Sequence, residues 1–210
     1  MVDRAIRANS GADLSKSTKA AAFVSKSRLD ALTDGVFAFA MTLLVVNIEL
    51  PGGFNSNQEF LAGLADLADT FIAYIITFFV LVSFWFGRAR ADEEPKMASA
   101  AYAWAVLIQL LSITFLPFSM LAVSRYDFPA AIWIYGINMI LLSLSAIAIG
   151  LIAERDTGRA KVPSARVEHS ILIASAILSM IASLFAPEYA MLLYLLNFAS
   201  PLAARAVYQQ

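Results

Sequence analysis

Apolar residues in this chain run in long unbroken stretches and do not alternate with polar ones. Six stretches are long enough to cross a hydrocarbon core of ~30 Å, which takes roughly 17 to 25 helical residues. They lie near Leu32 to Leu50, Asp69 to Gly87, Ala98 to Val123, Phe128 to Ala153, Ser170 to Ala186 and Glu188 to Ala206. The breaks carry turn chemistry: Pro51-Gly52-Gly53, the segment from Asp92 to Pro95, and Pro187. The third and fourth stretches are joined so tightly, through Ser124 to Asp127, that they must form an antiparallel hairpin, and the fifth and sixth likewise. The pattern predicts an all-α integral membrane protein with six transmembrane helices per subunit.

The first stretch is the least ordinary. "RLDALTDGVFAFAMTLLVVNIELP", Arg28 to Pro51, opens with an arginine and two aspartates directly before its apolar run. Charge is costly near a bilayer and is kept there for a reason. At about 100° per residue, Leu32, Val36, Phe39, Leu43, Val46 and Leu50 form a bulky apolar stripe. Ala31, Gly35, Ala38 and Thr42 form a small-residue stripe beside it, of the kind that lets helices approach closely. Asp34 falls roughly 140° from Phe39, so it should point into protein near the end of the helix. Asp30, one turn earlier with the same sign, calls for a cation, and Arg28 is the nearest. Taken alone, these residues fit a simple account in which Arg28 anchors the helix and Asp34 caps it or sits on the surface.

Composition agrees with the pattern. The chain is 60% hydrophobic and 15% charged, with a mean hydropathy of +0.72, against about 45 to 50% apolar and about 25% charged in soluble domains. With the N-terminus in the cytoplasm, every one of the 15 basic residues except Arg125 falls in a cytoplasmic segment. Six spans with both termini inside satisfy that count. Residues 1–27, polar and basic, read as a mobile, solvated cytoplasmic tail, with contact to anionic lipid the lesser alternative, followed by a membrane domain over 28–210. The first span ends in Asn47-Ile48-Glu49-Leu50-Pro51, without the small-residue cleavage site of a signal peptide, so it is expected to stay in the protein.

Catalytic chemistry has little to work with. The chain has no cysteine, which removes disulfide frameworks and thiolate sites together. Its one histidine, His169, falls beside Glu168 in a cytoplasmic loop and is expected to be solvated; one imidazole without a partner makes no metal site. No cofactor and no nucleic acid are implied, and an enzyme is not expected. The middles of the spans hold hydroxyls and amides such as Thr77, Gln109, Ser112, Asn138, Ser175 and Asn197, expected to bond across helices. They offer none of the carboxylates that proton coupling normally needs, so a secondary transporter of a small solute or ion stands as the alternative. Tyr135-Gly136 lacks the rest of a TVGYG filter and is expected to be a packing site, and Phe128 to Ile152 has no arginine ladder for voltage sensing.

The opening stretch resembles the signature of the lysosomal and endosomal potassium channel family, transmembrane protein 175, and its bacterial homologues. In that family an R-x-x-x-F-S-D motif opens the first span and runs into a "GVFAIAITLLVLDI"-like helix. Here Arg28 is followed three residues later by Leu32-Thr33-Asp34 and "GVFAFAMTLLVVNI", with "SFWFG" in the second span and "TFLPFSML" in the third similar to later family segments. The resemblance implies a homotetrameric, potassium-preferring cation channel without a separate filter loop, in a bacterial inner (plasma) membrane. The first helix of each subunit would line the pore, with rings at Phe39, Leu43 and Val46, and Arg28, Thr33 and Asp34 would tie that helix to its neighbours. Potassium, and other monovalent cations, would be the permeant partners. Phe39 stands where Ile or Leu is usual, and Asn47 where an acid often sits, which leaves Glu49 to attract cations at the outer mouth.

Overall fold

The computed structural model describes residues 22–89, 97–126, 128–158 and 164–199. In chain order these form β1 (Ala22–Ser25), α1 (Lys26–Val46), α2 (Asn57–Ala65), α3 (Ala68–Ala89), β2 (Met97–Ser99), α4 (Ala100–Arg125), α5 (Pro129–Thr157), α6 (Ser164–Ala182) and α7 (Pro187–Ala190). A 3-10 helix over Met191–Ala199 closes the described chain.

Helices α1, α3, α4 and α5 are each long and apolar enough to cross a membrane. They correspond to the first four expected spans. The fifth expected span is present as α6, whose first turns carry Arg166, Glu168 and His169. The sixth is a short α-helix running into the 3-10 segment, and its expected end at Ala206 lies outside the described residues. Residues 1–21 of the expected tail lie outside them too; the tail's last residues, Ala22–Ser25, form a strand, and α1 starts at Lys26, two residues before the expected boundary.

Local chemistry accounts for the helix ends. Ser99 caps α4, its Oγ accepting from the Tyr102 N–H at 3.2 Å and donating to Asp156 at the end of α5. Pro129 opens α5, and Gly158 closes it in the left-handed conformation at φ 68°, where its N–H bonds to the Glu154 carbonyl. Helix α2, which lies within the expected connection between the first two spans, starts with a capping box. Ser56 accepts from the Glu59 N–H while the Glu59 carboxylate accepts from the Asn55 N–H.

Two small strands relate the ends of the bundle. β1 pairs antiparallel with β2, so the chain before α1 and the chain after α3 meet on the same side, as two crossings require. The β2 residue Ser99 then touches Asp156, and Arg166 of α6 pairs with Glu154 of α5, which brings the end of α5 and the start of α6 to that side as well. Among the described basic residues, Lys26, Arg28, Arg88, Arg155 and Arg166 belong to this end, and Arg125 alone to the other.

Packing centres on α4, which lies against α5 most extensively and also against α1 and α3; α6 covers α5 from the other side. The core side chains Phe37, Leu44, Ile76, Leu81, Ile113, Leu116, Tyr135 and Leu142 are fully buried. Polar groups in the core bond across helices, as expected. Thr77 donates to the Ala73 carbonyl and Tyr135 then donates to Thr77 at 2.8 Å. Asn138 donates to the Ser112 carbonyl at 3.1 Å, and Asn197 to Ser175 at 2.9 Å. The Tyr135-Gly136 pair is a packing site: Tyr135 meets Tyr194 edge to face, and a Cβ at position 136 would lie 2.8 Å from Met180 Cγ.

Candidate pore helix and its anchors

Helix α1 turns one side toward its own subunit. Lys26, Leu29, Thr33, Phe37, Ala40 and Leu44, spaced three or four apart, are buried on α3 and α4. Leu32, Phe39 and Val46, each seven residues from the last, lie away from the subunit; Phe39 and Val46 are 65% and 67% exposed. Val36 and Leu43 are half-buried on its flank. The bulky stripe read from the sequence therefore divides, with Leu32, Phe39 and Val46 outermost. The small stripe of Ala31, Gly35, Ala38 and Thr42 is exposed too, with no atom near a Cβ built at Gly35. Within the subunit it serves no close helix contact.

The charged lead-in is held differently from the expectation. Arg28 is exposed and makes no ion pair among the described residues. Thr33 is buried, and its hydroxyl donates to the Leu29 carbonyl of its own helix at 2.8 Å, not to a neighbour. Asp34 is exposed where burial was expected, yet it does cross to another helix: Oδ1 accepts from the Trp85 indole N–H at 3.1 Å. The cations facing Asp30 are Lys26 at 3.8 Å and Arg88 at 3.5 Å, in place of Arg28. Arg88, at the end of α3, also donates to Gln109 of α4 at 3.4 Å.

Sequence reasoning missed Lys26 and Arg88 as the cations facing Asp30, and Trp85 as the partner of Asp34. Two signals were present: the like charges of Asp30 and Asp34 demanded a cation, and "SFWFG" places an indole donor one residue after Phe84 and three before Arg88.

At the opposite end α1 is tied to α4 twice. Asn47 donates from Nδ2 to the Pro117 carbonyl at 3.2 Å, turning its amide into the subunit. Glu49 pairs with Arg125 at 2.7 Å, both side chains well exposed. The carboxylate expected to compensate for Asn47 thus has its charge opposed by the only described basic residue at that end.

His169 departs from its expected solvated loop. It lies in the first turns of α6, before the expected fifth span, with its ring stacked on Phe84 at 4.8 Å and 26°. Burial pushes its pKa down from 6.5 to about 4, so the ring is neutral at pH 7. Together with Asp30, Trp85, Arg88, Tyr102 and Gln109 it lines a crevice of about 370 Å³ at this end of the bundle. No cluster of His, Cys or acidic residues among the described ones could hold a metal ion.

A bundle of membrane-length apolar helices, whose first member is pinned to its subunit at both ends and turns bulky apolar side chains outward, defines a multi-pass membrane protein. Residues 28–117 match the family described as endosomal/lysosomal potassium channel TMEM175. The chain resembles that family over this part of its length. It is 26% identical over 180 residues to a potassium channel of Chryseobacterium sp. (strain P1-3), covering 82% of this chain and 90% of that one. It is 26% identical over 178 residues to the endosomal/lysosomal proton channel TMEM175 of Bos taurus, covering 78% of this chain and 37% of the bovine one. The crystal structure of a lysosomal potassium-selective channel TMEM175 homolog from Chamaesiphon minutus superposes with a TM-score of 0.72 at 19% identity, over 85% of this chain and 97% of that one. At that identity the likeness is one of fold.

Proposed function

We propose that the chain is one subunit of a homotetrameric, potassium-preferring cation channel in a bacterial inner membrane, with α1 of each subunit lining a central pore. The observation that carries this reading is the outward stripe of Leu32, Phe39 and Val46 on a helix whose opposite side is buried in its own subunit. One such helix cannot enclose a pore, and closed symmetry around it supplies the others. Phe39 forms the narrowest ring, with Leu43 and Val46 beyond it, and no separate filter loop is needed. A ring of phenyl groups offers a potassium ion no ligands that replace its water, so it works as a gate that closes by drying. Phe rings also present π-faces to a cation when wet.

Six crossings with both termini cytoplasmic place the Arg88 end of the bundle inside, where positive charge is favoured. On that assignment Asn47, Glu49 and Arg125 stand at the outer mouth, the chain before α1 is cytoplasmic, and the channel domain begins with α1 at Lys26. Arg28, exposed and without an ion-pair partner among the described residues, would meet a neighbouring subunit or a lipid headgroup, while Asp34 ties α1 to α3 of its own subunit and the buried Thr33 hydroxyl bonds within α1.

The test is flux through purified protein in liposomes, with single-channel recording in a planar bilayer. Potassium movement down its gradient, without coupling to protons or sodium, supports the channel. Strict exchange without unitary currents would mean a secondary transporter, and no flux a structural protein. Because the bovine relative is named a proton channel, the same vesicles carry a pH dye: proton current exceeding potassium current would reassign the permeant ion.

A further inference from the structure

The crevice at the Arg88 end is lined by none of Leu32, Phe39, Leu43 and Val46. It opens between α1, α3, α4, α5 and α6 with a volume of about 370 Å³, within the roughly 300 to 1,000 Å³ of small-ligand sites. The Arg88 side chain is only 15% exposed there. Its contacts are Asp30 at 3.5 Å and Gln109 at 3.4 Å, with the Tyr102 hydroxyl beside it. Both distances exceed the roughly 2.7 to 2.9 Å of a charge-assisted bond. A planar fork of five N–H donors is thus held in position by long contacts to Asp30 and Gln109 and by a hydrogen bond to the Tyr102 hydroxyl. Lys26, whose side chain is 10% exposed, stands 3.8 Å from the same Asp30 carboxylate and adds a second cation to the wall.

We propose that this crevice binds a single phosphate group, carried by a free phosphorylated solute or by a lipid headgroup. Phosphate has enough oxygens to take donors from Arg88 and Lys26 together with the Tyr102 hydroxyl, where a carboxylate has two. Three carboxylates also line the crevice, and each faces a donor: Asp30 lies beside Lys26 and Arg88, Asp34 receives the Trp85 indole, and Glu154 receives Arg166. Their charge disfavours a polyphosphate and suits one phosphate. Trp85, Phe84 and the neutral His169 form an apolar wall for the carbon-bearing side of an ester.

The experiment follows thermal unfolding of the detergent-purified full chain with inorganic phosphate or with a short-chain phosphatidylglycerol, against chloride at equal ionic strength. A saturable rise in Tm is expected with at least one of the two, and Arg88→Lys, which keeps the charge and loses the fork, should weaken the apparent affinity by about tenfold. A response to both probes assigns the site to phosphate as such; a response to the lipid alone assigns it to a headgroup, and to inorganic phosphate alone to a solute. Where Arg88→Lys does not fold, Tyr102→Phe takes its place and should weaken binding as well. No saturable response beyond chloride, or one that both variants leave unchanged, overturns the proposal.

Discussion

The indole N–H of Trp85 donates to the carboxylate of Asp34 across 3.1 Å, joining the charged start of α1 to α3. Arg28, six residues before Asp34, takes no part in this bond. Asp34→Ala and Trp85→Phe should therefore each lower the Tm of the purified protein, and a double-mutant cycle between them should give a coupling of about 1 kcal/mol, the modest end for a bond to an exposed charged group. Arg28→Ala should combine additively with Asp34→Ala within about 0.5 kcal/mol. Coupling between Arg28 and Asp34 in place of Asp34 and Trp85 would mean that the two helices meet in a different register.

The ion pair of Glu49 with Arg125 predicts an effect on conduction that depends on salt. Both side chains are exposed, so the pair contributes little to stability, on the order of 0 to 1 kcal/mol. Removing its positive member is a different matter for the local field. Arg125→Gln should unmask the Glu49 carboxylate and raise cation current at low ionic strength, and Glu49→Gln should lower it. Both effects should shrink as salt approaches about 1 M, where the screening length is about 3 Å. Current ratios of variant to parent, recorded across a salt series, decide this; a ratio independent of salt would place the pair away from the ion path.

His169 gives a pH dependence whose sign follows from its burial. Its pKa is about 4 in the folded protein against an ordinary value of 6.5, so between those values the unfolded chain binds more protons than the folded one. Stability from this group is fully present above about 6.5 and is lost as pH falls toward about 4. His169→Phe keeps an aromatic ring against Phe84 and cannot titrate, so its Tm should fall less between pH 7 and pH 4.5 than that of the parent. Equal slopes for the two proteins would show that the histidine is solvated after all.

How far the molecule could be read in advance depended on the range of each interaction. The first four spans were legible because each helix carries its own apolar length, and Tyr135-Gly136 was legible as packing because it interrupts nothing in its helix. The capping box from Ser56 to Glu59 was also there to be read, in the connection between the first two spans. The strand pair of Ala22–Ser25 with Met97–Ser99 was not, since three or four residues carry no usable alternation and the partners are far apart in sequence. The same distance hid the anchors of α1. Asp30 meets Arg88 across 58 residues and Asp34 meets Trp85 across 51, and a helical wheel shows which side a residue occupies without showing which helix lies there. Asn47, read only as standing where an acid often sits, also donates its amide to the Pro117 carbonyl of α4, 70 residues on.

The sharpest prediction compares two phenylalanines two residues apart. Phe37 is fully buried against α3 and α4, and Phe39 is 65% exposed on the far side of α1. Phe37→Ala removes a packed ring from the core and should cost about 3 to 5 kcal/mol of stability, with ion preference unchanged in whatever protein still folds. Phe39→Ala removes little packing within the subunit, so the Tm of a dissociated subunit should hardly move. If α1 lines the pore, the same change widens the dry ring and lets it wet, raising leak and reducing discrimination among potassium, sodium and caesium together. Leu43→Ala should act in the same direction more weakly, because Leu43 is half-buried on the flank of the helix. Reversal potentials under mixed-cation gradients, recorded beside thermal unfolding of the same preparations, separate the two effects. Selectivity altered by Phe37→Ala and untouched by Phe39→Ala would mean that the outward stripe of α1 faces lipid, and that ions pass elsewhere.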